Sequence, residues 1–485
     1  MEMISIGGLP NDALFRCCEG LSFARAKGNW CRYTVPIGDH QMVATQYQVR
    51  RPSRKNHISP ADTWVSVVRF RIPLCPDSSV FVDSFGTAVI KCGPIVCMLS
   101  HSEVASIRSH FLVLKNRIYL NSCSQGALSD TVEQGLHDYI ASWHEYGSPW
   151  ELWVEQYEAA RAQFADFIAA TAEEVAIIPY VSAGINSVAS ALSFDDRNKV
   201  VMGEFEFPTM GHIWLAQRRR GAHVQFVNAE GDRIPVAAYE RAIDRQTLIV
   251  PITGVSFRNG FRSPVRDIVA LARTNQALVM LDDYQDCGTR PVNVRQLDVD
   301  FYVTGTLKYL LGPPGLAFLY VRKELIGTLE PTITGWFAQT NPFDFDVRNL
   351  SLSASARRFE AGSPPVPNVY AAMRGMELLQ EIGLANVAAQ IATLVRALMR
   401  GAEELGVRMK TPPDSVGPLV VLKCRDAATL VQKLAANRVV CSSRHDGLRL
   451  SFHVYNTLED VEMVLSVLKQ NRDLLVTDEA RVSSD

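Results

Sequence analysis

Six short apolar runs constrain this chain more than any other feature of it. Residues 199–202, 223–228, 248–253, 278–281, 301–303 and 317–321 recur with stretches of helical length between them. Runs this apolar offer no polar face to water, so they read as strands of a mostly parallel sheet covered by helices. Val132, Leu136, Tyr139, Ile140 and Trp143 share one helical stripe within residues 128–143. Ser148-Pro149-Trp150-Glu151 reads as a capping box, with proline at N1, opening a helix that runs to Ala170. From Val369 a long helical stretch leads into a strand–helix–strand–helix pattern at 419–422, 427–436, 448–452 and 458–469, which predicts a second, smaller α/β domain.

Composition excludes several alternatives. With 47% hydrophobic and 21% charged residues over 485 positions, the chain has enough apolar mass for a sizeable core. Lys+Arg 49 against Asp+Glu 51 leaves a formal charge of -2, so no global field selects nucleic acid or an anionic membrane as partner. The most apolar early segment, residues 88–99, is broken by Lys91 and Pro94 and is shorter than the ~20 residues a membrane span needs. The N-terminus lacks the basic start and apolar stretch of a secretory signal.

Cysteine placement divides the chain. Cys17, Cys18, Cys31, Cys75, Cys92 and Cys97 crowd the first 97 residues, and only four of the ten cysteines follow. Residues 1–97 are also net +4 while the remainder is net -6. Within them only 63–72 and 79–90 suggest strands. This leader reads either as a small accessory domain or, the preferred reading, as translation from an upstream start with Met98 as the natural beginning. The remaining chain divides into 98–145, an opening segment and helix joining the small domain; 146–365, the large domain; and 366–485, the C-terminal small domain. Four scattered cysteines over that remainder, with no paired CxxC, suit a reducing, cytoplasmic setting, and the ten histidines form no cluster at metal spacing. Arg218 to Arg220 read as a solvated basic face.

The chemistry concentrates in two segments. LVMLDDYQDCG at 278–288 is an apolar strand ending in Asp282, which places a carboxylate at the sheet edge where open α/β sheets bind ligands. A second strand leads into TGTLKYLLGPPG, which brings Lys308 to the same edge. A lysine in a dry pocket can lose its proton and form an imine with an aldehyde, while a carboxylate can keep a pyridine nitrogen protonated. Pyridoxal 5'-phosphate (PLP) needs both.

From about Tyr119 to Lys469 the sequence resembles the class V aminotransferase group of PLP enzymes, which includes cysteine desulfurases, selenocysteine lyases, isopenicillin epimerase-like enzymes and kynureninases. The motifs that carry the resemblance stand in the family's order: YLNSCSQGALS (119–129), PYVSAGINSVA (179–189), GEFEFPT (203–209), DDYQ (282–285), TLKY (306–309), RFEAGSPP (358–365) and RLSFHVYNTLED (449–460). The resemblance implies the PLP-transferase fold, a large domain with a mostly parallel seven-stranded sheet plus a smaller α/β domain, working as a homodimer with interface sites. It assigns Lys308 and Asp282 to catalysis. Val181, Ser182 and Ala183, ahead of an apolar helix 184–192, would cradle the phosphate. Phe207 would cover the pyridine face, Gln285 would bond the ring's phenolic oxygen, Thr306 would contact the cofactor, and Ser363 would reach the phosphate from the partner subunit. Arg449 would clamp the substrate α-carboxylate bidentately, with Asn121 nearby.

Departures from the family narrow the reaction. Leu307 stands before the lysine where desulfurases carry His and kynureninases Tyr. Cys441, the nearest candidate for a desulfurase's loop thiol, lies only eight residues before Arg449 and reads as a strand-end core thiol. Phe257 occupies the position of a family asparagine, with Arg258 or Asn259 to compensate, and Gly335-Trp336-Phe337 resembles a kynureninase GW segment. Transamination of an amino acid is the leading expectation and β-elimination of a carbon–sulfur bond the second. A PLP-fold sensor without turnover is the reading from another class.

Overall fold

The computed structural model describes residues 99–478 together with five earlier strands. Its contacts divide the chain into two compact units, Met1–Cys97 and Met98–Asp485. In the first, Arg32–Ile37, His40–Arg50, Trp64–Arg71, Ser79–Val82 and Ala88–Lys91 pair antiparallel in sequence order. The run at 79–90, expected as one strand, is two: Phe81 faces Val89 across a hairpin. The polar, glycine-containing stretch from Asp83 to Gly86 interrupts its apolar pattern.

The second unit is built on a seven-stranded sheet: β1 (Val175–Ile178), β2 (Lys199–Gly203), β3 (His223–Val227), β4 (Thr247–Thr253), β5 (Leu278–Asp282), β6 (Phe301–Gly305) and β7 (Ala317–Val321), in the order β1-β7-β6-β5-β4-β2-β3. Only β7 runs antiparallel to its neighbours. The six runs of the sequence are all strands; β1, a four-residue run, escaped that pattern. Side chains alternate between two cores, apart from the irregular start of β4. Ile177, Val279, Leu281 and Phe318 enter one apolar cluster, whereas Ile178, Met280, Val303 and Leu319 enter the other. The helix Trp150–Phe167 covers the first face, stacking Phe164 on Phe318 with ring centroids 4.0 Å apart. The helices Val181–Ala191 and Pro208–Ala216 cover the second.

The C-terminal region adds the helix Leu384–Glu404 and a three-stranded sheet of β8 (Leu419–Lys423), β9 (Ser442–Arg444) and β10 (Gly447–Ser451), ordered β8-β10-β9. The opening segment joins it: Ile118–Tyr119 pairs with Val439–Val440, and Asn121 bridges to Ser451. The helices Ala427–Ala436 and Leu458–Gln470 stand where the sequence places them.

Three sequence expectations need correction. Ser148 does not cap its helix. The helix starts at Trp150, its N-cap is Pro149 in a non-helical conformation, and no side chain bonds the first turn. The helix expected at 184–192 begins at Val181, so Val181, Ser182 and Ala183 form its first turn rather than a turn before it. Arg218 to Arg220 are exposed as expected, but Arg220 is more than a solvated charge: it donates to the carbonyls of Ala189, Ser190 and Leu192 and closes the far end of that same helix. Among the described residues, no single helix is long and apolar enough to cross a membrane, and no three metal-binding side chains gather.

Candidate functional site

Asp282 ends β5 in register with Thr253 on one side and Val303 on the other, so it sits in the middle of the sheet's carboxyl edge. It is only 6% exposed. Burial pushes its carboxyl above the usual range, while the Tyr284 N–H it accepts at 3.1 Å and the charge of Lys308 pull it back. Asp283 points elsewhere. It accepts from the Tyr302 hydroxyl at 2.9 Å, and burial and then the neighbouring Asp286 raise it to about 7. Asp286 holds Arg262 and Arg290. The alternation of a strand end thus separates the two adjacent aspartates, and Asp282 alone feels Lys308.

Lys308 follows β6 in a turn packed against backbone. The Gly126 N–H donates to the Leu307 carbonyl at 2.7 Å, and a Cβ on Gly126 would lie 2.3 Å from the Lys308 carbonyl oxygen, so only glycine lets the opening segment pass. Thr306 donates its hydroxyl to the carbonyls of Pro313 and Leu316, which closes the turn. His453 holds the next residue. It donates through Nε2 to the Tyr309 carbonyl at 3.0 Å, and its Nδ1 accepts from the Val454 N–H, which fixes the tautomer. Burial lowers His453 to about 4. The Lys308 ammonium lies 4.2 Å from the Tyr284 ring centroid and 5.8 Å from that of Phe207. Burial lowers its pKa to about 8, with Asp282 opposing and Arg449 and Arg444 reinforcing the shift.

Phe207 is the N-cap of the helix Pro208–Ala216, 46% exposed, with its edge against Phe257 at 5.0 Å between centroids. Two residues on, Thr209 accepts a hydrogen bond at 3.2 Å from Ser182 in the first turn of the helix Val181–Ala191. The amides of that first turn open the helix without a side-chain cap, a place where an anion is favoured. Gln285 donates to the Cys123 carbonyl at 3.0 Å, leaving its buried Oε1 without a partner; Asn121 Oδ1 is buried and unpartnered likewise.

Arg449 is 2% exposed, and among the described residues it pairs with no carboxylate. Its guanidinium donates to Ser124 Oγ at 2.8 Å, Ser442 Oγ at 2.9 Å and the Phe257 carbonyl at 3.2 Å, and burial lowers its pKa. Through Phe257 it joins Phe207, and through Phe207 it joins Lys308. A buried guanidinium held by neutral oxygens keeps its charge for an anion from outside.

Other expected residues lie apart or are already engaged. Ser363 is exposed in the turn before the helix Val366–Ile382 and makes no hydrogen bond to these groups. In its motif, Arg358 and Glu360 are scaffold: Arg358 donates to three carbonyls, and Glu360 joins Arg161 to β1. Neither candidate compensates for Phe257. Asn259 is bound to the backbone of Asp232 and Phe261, and Arg258 lies over the Phe205 ring. Cys441 is half-buried, and burial raises its thiol to about 12. Trp336 packs with Phe337 and Phe345. Tyr284, Thr209, Ser124, Ser442 and His453 were missed by the sequence reading; the Asp446-Gly447 pair, a hairpin signal, was the clue to Ser442.

The sequence model of the family Aminotransferase class-V matches residues 127–464. The "Uncharacterized aminotransferase YcbU" of Bacillus subtilis (strain 168) is 33% identical over 355 residues, 73% of this chain and 94% of that one. The "Kynureninase" of Bacillus anthracis is 25% identical over 396 residues, 76% of this chain and 92% of that one. Among solved structures, a cysteine desulfurase from Thermococcus onnurineus NA1 superposes with a TM-score of 0.70 at 24% identity, covering 76% of this chain and 97% of its own.

Proposed function

Since the chain belongs to the class-V aminotransferase family, a family of PLP-dependent enzymes acting on amino acids, we propose that it is an aminotransferase. The residues present fit the cofactor. Lys308 offers an amine that loses its proton near pH 8, and Asp282 a buried carboxylate for the ring nitrogen. The first turn of the helix Val181–Ala191 with Thr209 offers donors for the phosphate, Phe207 would cover a ring face, and Gln285 and Asn121 each hold a buried oxygen without a partner. When bound, PLP supplies the electron sink that makes the substrate's Cα–H acidic.

The protein's own groups do the rest. Arg449 would bind the α-carboxylate by its charge and by the terminal N–H not engaged by Ser124, Ser442 or Phe257, and so fix which Cα substituent faces Lys308. Lys308 Nζ would take the proton from Cα and return it to the carbon on the far side of the shared nitrogen; water would then release the 2-oxo acid, its oxygen becoming the oxo group, and leave the amino group on the cofactor. Asp282 keeps a proton on the ring nitrogen, and Tyr284 and Phe207 exclude water from the amine. The observation that carries the substrate class is Arg449, buried and without an acid of its own. Leu307 has no proton to give a leaving group, and the raised thiol of Cys441 sits beside a tight two-residue turn, which supports transamination over desulfuration.

The homodimer is part of the proposal. Exposed Ser363 and the exposed apolar Phe343, Phe345, Val347 and Leu350 support it, and light scattering of the purified protein measures it. Free thiols at Cys123, Cys287, Cys424 and Cys441 support a cytoplasmic setting. Incubating the PLP-loaded protein with a panel of amino acids tests the reaction. Formation of pyridoxamine phosphate with the matching 2-oxo acid is the expected result. Sulfide or pyruvate release would make the protein a lyase, and no change with any amino acid would make it a binding protein.

A further inference from the structure

Resting on that reading, we infer that the substrate carries a second acidic group, received by Arg444, so that the preferred amino acid is dicarboxylic and of aspartate or glutamate size. The argument begins with the two faces of the C-terminal sheet. Val420, Leu422, Leu448 and Leu450 point into the main core. Leu419 and Val421 point the other way, into a small cluster with Cys123 and with Tyr309, the residue after Lys308. Arg449 lies on this second face. So does Ser442, directly opposite Arg449 in the β9–β10 register and bonded to it.

Alternation then sends Ser443 to the other face and returns Arg444 to the face of Arg449. Arg444 stands two residues along from Ser442, about 7 Å at the rise of a strand. Its cross-strand partner is Gly447, which has no side chain to cover it. The two cations therefore share one face of the hairpin, Arg449 buried and Arg444 exposed near its tip, so that a short dicarboxylic amino acid would bring one carboxylate to each.

Arg444 has no acid within the protein. Its guanidinium bonds only the Ser443 carbonyl at 2.8 Å, and among the described residues it forms no ion pair. The acid of the hairpin turn, Asp446, is held by Lys410. The charge of Arg444 is felt at both Lys308 and Arg449, whose hold on their protons it weakens. Three cations thus meet one carboxylate, Asp282. The substrate's α-carboxylate answers Arg449, and a second carboxylate answers Arg444.

The test compares glutamate with glutamine as amino donors to the PLP-loaded enzyme, and glutarate with butyrate as ligands by calorimetry. In the unmodified protein the acidic member of each pair is expected to win by about tenfold or more, the scale of one charge-assisted hydrogen bond. Arg444→Gln should collapse both ratios, and Arg444→Lys should restore them in part. Equal use of glutamate and glutamine, or ratios that survive Arg444→Gln, would overturn the assignment. If no amino acid is turned over, the aminotransferase reading fails, while the glutarate-to-butyrate ratio still decides the role of Arg444.

Discussion

Lys308 and Arg449 are both cations withdrawn from water, but the protein holds them in opposite ways. The lysine rides on a turn fixed by backbone: Gly126 against its carbonyl, Thr306 bonded across the turn, His453 on the next residue. Its ammonium sits under two aromatic rings, and burial strips its proton affinity. The arginine stands on a strand of the smaller sheet, held by two serine hydroxyls and one carbonyl, with an open hairpin tip beside it. The first arrangement fixes a chemical step that tolerates no displacement. The second fixes only a charge and leaves its neighbours free to vary, so specificity can change at Arg444 without touching the backbone turn that carries the lysine.

Substitutions should separate the two sides by the kinetic constant they move. Lys308→Ala is expected to lower kcat by at least about 10²–10⁴-fold, the contribution of a positioned general base, while Kd for a bound dicarboxylate changes little; rapid-quench turnover and calorimetry measure the two. Asp282→Asn removes the anion that holds the ring proton and should cost about 10²–10³-fold in kcat. Arg449→Gln should act mainly through KM, raising it by roughly 10–150-fold, the worth of charge-assisted hydrogen bonds. A fall confined to kcat would contradict the division drawn here. Ser442→Ala, which removes one acceptor from Arg449, is expected to raise KM by only about 2–10-fold.

The lysine side also carries a pH signature. Its reactive form is the neutral amine, and its pKa stands at about 8 rather than 10.5. Cofactor capture by apoprotein, followed as absorbance after adding PLP, should therefore climb as pH rises through about 8 and level off above it. A rate still climbing past pH 10 would mean that the amine is not buried in solution.

What could be read from the sequence follows the same division. Asp282 ends an apolar run that can only be a buried strand and Lys308 follows another by three residues, so local pattern pointed to both, and the structure gives Asp282 and Asp283 different partners. The arginine side is non-local. Ser124 becomes a partner of Arg449 only by contact across 325 residues, Ser442 only by the register of the hairpin they share, and a serine in sequence carries no mark of that use. Chemistry in the wrong place misled too: Asn259 has the right side chain to replace the family asparagine, but the backbone of its own loop and of Asp232 engages it.

The opening segment pairs with strands more than 300 residues later: the Cys123 N–H donates to Ser451, and the Ser122 hydroxyl meets Tyr455. Its carbonyl at Cys123 in turn holds Gln285. During synthesis the large sheet can form while this stretch still waits for its partners. Closure of so long a loop comes late, because its entropy must be met before its contacts form. The turn that carries Lys308, held by Gly126 and His453, is therefore fixed only when the last strands to emerge complete the pocket.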